Sequence, residues 1–124
     1  MYISKILQII TWLTRFEEIL KEYFESDHLI KKGVLTVSYI SQSLNISPNY
    51  LSGLLKVLTG QSTQQHIHDK LIEKAKEKLS VTDLSVSEIA YELGFEHSQS
   101  FSKLFKTKNG SFPQAVQTVF QLTH

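Results

Sequence analysis

The sequence predicts an all-α fold: two helix-turn-helix units bridged by a long helix, about seven helices in all. Three observations lead there. Apolar residues recur at helical spacing along the whole chain. Helix caps fall at regular places between those stretches. And the chain says nearly the same thing twice: residues 37–60 read VSYISQSLNISPNYLSGLLKVLTG and residues 86–110 read VSEIAYELGFEHSQSFSKLFKTKNG. Val37 matches Val86, Ile40 matches Ile89, Leu44 matches Leu93, Lys56 matches Lys106 and Gly60 matches Gly110. A repeat this short is no domain, but it has the length of two helices joined by a tight turn.

Taken in order, residues 3–30 form a first helix. Ile3, Ile6, Leu7, Ile10, Leu13, Phe16, Leu20 and Phe24 make one stripe, and Ile9, Trp12, Ile19 and Tyr23 a second beside it. A helix on a small domain needs one apolar face, so the two stripes of residues 1–14 exceed what one small domain can cover. Lys31-Lys32-Gly33 ends the helix, with basic residues in the last turn and glycine after it. Thr36 caps a short helix over 37–44, and Ser47-Pro48 opens the next over 48–58. Asn45 stands in the turn between them, where a left-handed residue is needed; the second copy puts Gly94 there. Four residues earlier, Ser41 and Ala90 are small enough to let the paired helices cross closely.

Between the copies, Ser62-x-x-Gln65 is a capping box that opens a helix to Leu79, with Ile67, Leu71, Ile72, Ala75 and Leu79 inward. At 1.5 Å per residue that helix is roughly 27 Å long, enough to hold two recognition helices about one DNA turn, ~34 Å, apart. Ser85-x-x-Glu88 is a second capping box, for the helix 86–93, and capping is the role it leaves for Glu88. The helix over 97–108 buries Phe101, Leu104 and Phe105. The expected organisation is an apolar segment 1–15, a first unit 16–61, a linker helix 62–80 and a second unit 81–122.

Composition is that of a globular protein large enough for a real core. Cysteine is absent, which excludes disulfides and thiolate chemistry. The apolar N-terminus is interrupted by Lys5, Gln8 and Arg15 and has no cleavage site, so neither a signal peptide nor a membrane span is expected, and a cytoplasmic protein is the default. The net charge is only +1, but its distribution is uneven. The acidic residues are Glu17, Glu18, Glu22, Glu25, Asp27, Asp69, Glu73, Glu77, Asp83, Glu88, Glu92 and Glu96. Residues 28–68 and 97–124 have none, and carry Lys31, Lys32 and Lys56, and Lys103, Lys106 and Lys108. The second helix of each copy thus lies in an acid-free stretch, as contact with a polyanion demands. Chance clustering in a short chain is the bland explanation.

These residues resemble the DNA-binding domain of the AraC/XylS family of bacterial transcription regulators, over Phe16 to Phe120. The most specific part is Ile67-x-x-Lys70-Leu71-x-x-x-Ala75-x-x-x-Leu79, then Ser87-Glu88-Ile89-Ala90-x-x-Leu93-Gly94-Phe95, then Ser100-Phe101-Ser102-Lys103-x-Phe105-Lys106-x-x-x-Gly110-x-x-Pro113. The resemblance implies homeodomain-like units, double-stranded promoter DNA as partner, RNA polymerase as the machinery recruited in activation, and no cofactor. Four positions depart from the pattern: Lys70 replaces arginine, Leu55 replaces phenylalanine, Phe112 replaces the serine before Pro113, and Val116-Gln117 replaces an aromatic-arginine pair.

Outward residues on 48–58 are Pro48, Asn49, Ser52, Gly53 and Lys56, with Leu51, Leu54, Leu55 and Leu58 inward. Outward on 97–108 are His97, Ser98, Gln99, Ser102 and Lys103. Asn49 and Gln99 suit adenine, Lys103 suits guanine, and Lys56 and Lys106 suit phosphate. Base contacts carried over from the family fall on Asn49, Ser52, Gly53, Ser98, Gln99, Ser102 and Lys103; phosphate contacts are assigned to Lys56, Lys106 and His97. For each, a solvated polar residue is the structural alternative. Gly53 offers nothing to a base edge, so the second unit reads as the more specific. His66-x-His68 points to two sides of a helix, which argues for surface or phosphate-side histidine over a metal site. Tyr91 and Phe95 read as core, and no catalytic constellation stands out. The competing function is a helical protein-interaction module without nucleic-acid binding. Residues 1–14 read as a remnant of, or linker to, an upstream sensor domain; the alternative is a homodimer through residues 1–16.

Overall fold

The computed structural model describes residues 2–123; Met1, part of the apolar segment discussed above, lies outside them. Eight helices are present among the described residues: α1 (Tyr2–Glu25), α2 (His28–Lys32), α3 (Val37–Leu44), α4 (Pro48–Thr59), α5 (Thr63–Val81), α6 (Val86–Glu92), α7 (Ser98–Asn109) and α8 (Pro113–Thr123). The all-α expectation holds. The eighth helix arises because the long N-terminal helix is not continuous. It stops at Glu25 and restarts at His28, with Asp27 as the N-cap residue of α2. Asp27 spends its carboxylate on Lys31, 2.7 Å away across one helical turn, and this ion pair pulls the carboxyl below its ordinary value.

The chain forms two compact units, Met1–Ser26 with Leu35–Ile67, and Asp27–Val34 with His68–His124. α5 contributes to the first up to Ile67 and to the second from His68. In the first unit α1 packs on α3 and α3 on α4, with Phe16, Leu20, Tyr23, Ile40, Leu51, Leu55 and Ile67 buried. In the second, α6 packs on α7 and α2, and α7 on α8, with Leu29, Leu71, Ala75, Leu79, Ile89, Leu93, Phe101 and Phe105 buried.

The two helix pairs share the hydrogen bonds of their turns and of their first caps, whereas Ser47 caps α4 and His97 makes no side-chain cap bond to α7. Thr36 accepts from the Tyr39 amide and Ser47 from the Tyr50 amide, both at 3.1 Å. In the turns, the Ile46 amide donates to the Ser41 carbonyl at 3.1 Å and the Phe95 amide to the Ala90 carbonyl at 3.0 Å. These bonds satisfy carbonyls left open at a helix end. Ser41 and Ala90 are both buried. Asn45 adopts the left-handed conformation with φ 57°.

Gly94, its counterpart, has φ 90° and a second constraint. A β-carbon there would lie 2.5 Å from the Leu29 carbonyl oxygen, 2.7 Å from the Gly33 carbonyl carbon and 2.8 Å from the Val34 amide nitrogen. The segment 27–34, attached to the second unit, occupies the space a side chain would need. That explains why the second turn holds glycine where the first tolerates asparagine.

Both capping boxes are closed. The Ser62 amide donates to Gln65 Oε1 at 2.7 Å and the Gln65 amide to Ser62 Oγ at 3.3 Å. The Ser85 amide donates to Glu88 Oε1 at 3.0 Å and the Glu88 amide to Ser85 Oγ at 3.1 Å. The bonds from Ser85 favour the charged carboxylate and hold the Glu88 carboxyl below its usual value. All five α5 residues expected inward are buried. The helix after Pro113 is intact despite the changed pattern around it. Gln117, where the family resemblance has arginine, donates from Nε2 to the Leu84 carbonyl at 2.6 Å and ties α8 to the loop before α6.

Two side chains differ from expectation. Leu58 is 43% exposed rather than inward. Tyr91 is 64% exposed rather than core, since α6 buries Ile89 and Ala90 and turns residue 91 to the far side. His66 is half-buried at the surface, its ring edge-on to Phe16, centroids 5.4 Å apart, and its Nε2 2.8 Å from Thr59 Oγ1.

Candidate nucleic-acid interface

The candidate site is built from the outward faces of α4 and α7. On α4, Asn49, Ser52, Gly53 and Lys56 stand at positions i, i+3, i+4 and i+7, which places them on one face. On α7, Gln99, Ser102, Lys103 and Lys106 repeat that register. Each helix begins with an extended cap residue, Ser47 or His97, and ends on a left-handed glycine, Gly60 or Gly110. Each is anchored from below, α4 by Leu51 and Leu55 and α7 by Phe101 and Phe105. The polar face is therefore held by packing on the opposite one.

Within the first unit, Asn49, Gly53 and Lys56 are exposed. Ser52 is half-buried, and its hydroxyl lies 3.1 Å from that of Thr63, which is fully buried at the start of α5. Ser52 thus already has a partner, and any base contact from it shares a hydroxyl engaged in fastening α4 to α5. Thr59 fastens the other end, bonding the Leu55 carbonyl at 2.7 Å as well as His66. A β-carbon at Gly53 would meet nothing within 4 Å, so the fold does not demand glycine there. Tyr50 is 52% exposed beside this face and packs edge-on to Trp12 at 5.7 Å.

Within the second unit, Ser98, Gln99, Ser102, Lys103 and Lys106 line one open groove together with Thr107, Phe112 and Gln114. The structure thus brings five of the sequence-predicted residues to one surface; His97, exposed at the cap, is not among its lining residues. Phe112 was not anticipated as part of this surface. Its signal was the departure from serine before Pro113. The Lys106 ammonium lies 4.4 Å from the centre of its ring.

Charge follows the same division. Lys70, Lys74, Lys78 and Lys108 have carboxylates at 3.8, 3.7, 2.7 and 3.6 Å, from Glu73, Glu77, Glu92 and Asp69. Among the described residues no carboxylate pairs with Lys56, Lys103 or Lys106. Lys56, Lys103 and Lys106 thus remain available on the two polar faces, while Lys70, Lys74, Lys78 and Lys108 each have a carboxylate beside them. His68 is pushed below its ordinary value by burial and then by the Lys108 charge. Among the described residues no group of three or more histidines or carboxylates could hold a metal ion, and no helix is long and apolar enough to cross a membrane.

Residues 40–118, more than half of the chain, match a family model described as a helix-turn-helix domain, HTH_18. The chain belongs to the AraC/XylS family of DNA-binding domains. It is 36% identical over 78 residues to the raffinose operon transcriptional regulatory protein RafR of Pediococcus pentosaceus, a match covering 63% of this chain and 28% of that protein. Among solved structures it resembles the C-terminal domain of the two-component response regulator yesN from Fusobacterium nucleatum, with 30% identity and TM-score 0.71, covering 82% of this chain and 93% of that one. The fold alone, at 22% identity and TM-score 0.74, is shared with the DNA-binding domain of AdpA, solved in complex with a target DNA, covering 88% and 95%. The chain spans 10%, 28% and 37% of the length of three curated relatives, all transcriptional regulators by name.

Proposed function

We propose that this AraC/XylS-family chain binds double-stranded promoter DNA by inserting α4 and α7 into neighbouring major-groove segments. Asn49, Gln99 and Lys103 read base edges, Ser52, Gly53, Ser98 and Ser102 lie against the bases, and Lys56, Lys106 and His97 meet phosphate. The observation that carries this reading is the shared register of the two polar faces, both free of acidic residues and both with unneutralised lysines. The Ser52–Thr63 bond and the bare Gly53 leave the first unit fewer base-reading groups, so the second supplies more of the sequence preference. The role is a binding one, with no cofactor. Membership of this family supports transcription control through RNA polymerase as part of the same proposal, and a promoter-binding role is consistent with a cytoplasmic protein. Selection from random duplex DNA tests the proposal. Recovery of a shared motif, with affinity falling steeply as salt rises, is the expected result. No binding to any duplex at low salt would leave the protein-interaction reading instead.

The outer face of α1 belongs to the same proposal. Ile3, Ile6, Leu7 and Ile10 are 73%, 53%, 58% and 51% exposed, an apolar stripe facing solvent. We assign it to contact with the sensor part of a longer regulator, with self-association through residues 1–16 as the competing occupant. Sedimentation of the chain and of a variant with Ile6, Leu7 and Ile10 changed to glutamine separates them. A monomer at all concentrations excludes the homodimer, whereas a dimer abolished by the substitutions excludes the sensor assignment.

A further inference from the structure

We propose that Phe112 is a positioning residue: its ring holds the Lys106 ammonium in place for a DNA phosphate. The inference rests on the DNA-binding reading above and adds a residue to it. Four observations support it. The Lys106 ammonium stands 4.4 Å from the ring centre, within the range where a cation is drawn to an aromatic face. The ring is 48% exposed, so it is not recruited to the core, and it lines the same groove as Gln99, Ser102 and Lys103. The backbone beneath it is fixed. Pro113, which follows, is fully buried and restricts the residue before it to extended conformations, while the Phe112 carbonyl accepts from the amides of Ala115 and Val116 at 3.1 and 3.3 Å. Finally, no carboxylate competes for Lys106 among the described residues.

The physical consequence is preorganisation. A lysine ammonium on a four-carbon stem samples many positions, and fixing it on binding opposes affinity. The ring occupies one side of the ammonium and leaves hydrogens on the other side to donate to a phosphate oxygen. Phenylalanine at this position gives up the hydroxyl that a serine would offer the first turn of α8. What it adds is a platform for the cation.

The test is duplex binding by the whole chain, on the selected sequence and on a scrambled duplex, across a salt series. Phe112→Leu keeps the apolar bulk and removes the π face; it should weaken binding to both duplexes equally, by about two- to five-fold. Phe112→Trp should retain the parent affinity. Phe112→Ser should preserve or raise thermal stability and still bind as weakly as the leucine variant, which separates positioning from folding. Lys106→Ala should weaken binding on both duplexes and reduce the salt slope by about one. Adding Phe112→Leu to Lys106→Ala should change nothing further. Parent-like binding by Phe112→Leu would overturn the inference, as would an undiminished loss in the Lys106→Ala background or a loss on the selected duplex alone. If the parent chain binds no duplex at low salt, the DNA-binding reading itself fails.

Discussion

Replacing Gly94 with alanine should lower the stability of the second unit by about 2–5 kcal/mol, the sum of left-handed strain in a residue with a β-carbon and overpacking. The reason is the pair of constraints at this turn. Its φ of 90° disfavours any side chain, and the new β-carbon would meet three backbone atoms of residues 29–34 at 2.5–2.8 Å. Backbone cannot rotate away as the end of a flexible side chain can, so either the turn opens or the segment 27–34 lifts off α6. Two other glycines calibrate the effect. Gly110 has φ 83° but open space around it, so Gly110→Ala carries strain alone, about 1–2 kcal/mol. Gly53 lies inside α4 with open space and no positive φ, so Gly53→Ala should stabilise by about 0.5–1 kcal/mol. Urea denaturation followed by circular dichroism ranks the three. Equal losses for Gly94→Ala and Gly110→Ala would mean that the segment 27–34 does not press on the turn.

Lys103→Ala should reduce affinity for the selected duplex by about 1–3 kcal/mol, roughly 5- to 150-fold, and relax preference at one base position. Lys103 is exposed on the second turn of α7, beside Gln99 and Ser102 on one groove, with no carboxylate partner among the described residues. A lysine so placed gains most from a guanine edge, which offers two acceptors in the major groove. Affinity measured over a set of duplexes with single base changes decides the role. Loss confined to one position identifies base reading, whereas an equal loss on every duplex would make Lys103 a phosphate contact and remove the basis for ranking the second unit as the finer reader.

The turn chemistry of this chain was legible residue by residue. Thr36, Ser47, Ser62 and Ser85 cap the helices the sequence placed after them, and Asn45 and Gly94 fill corresponding turns, because caps act through bonds spanning three or four residues. The break at Ser26–Asp27 was not read, although it leaves a faint local mark. Leu29 lies five residues after Phe24, off the three- and four-residue spacing of the stripe, Asp27 stands as the N-cap residue of α2, and α2 packs on α6 in the second unit. The exposure of Leu58 and Tyr91 was missed because periodicity locates an apolar stripe but not how much of it a neighbour covers. At the candidate site, which residues face outward could be read from helical spacing. What could not be read were contacts made across the fold, the Ser52–Thr63 bond and the ring of Phe112 beneath Lys106, since neither pairing has a signature in local sequence.

The central claim is that the outward faces of α4 and α7 meet DNA in the major groove. Methylation interference on the selected duplex tests it most directly, because a methyl group on guanine N7 projects into the major groove and one on adenine N3 into the minor groove. Loss of binding on N7 methylation, with little effect of N3 methylation and with the guanine interference weakened in the Lys103→Ala variant, is the expected result. Interference confined to adenine N3 would place the chain in the minor groove and contradict the claim.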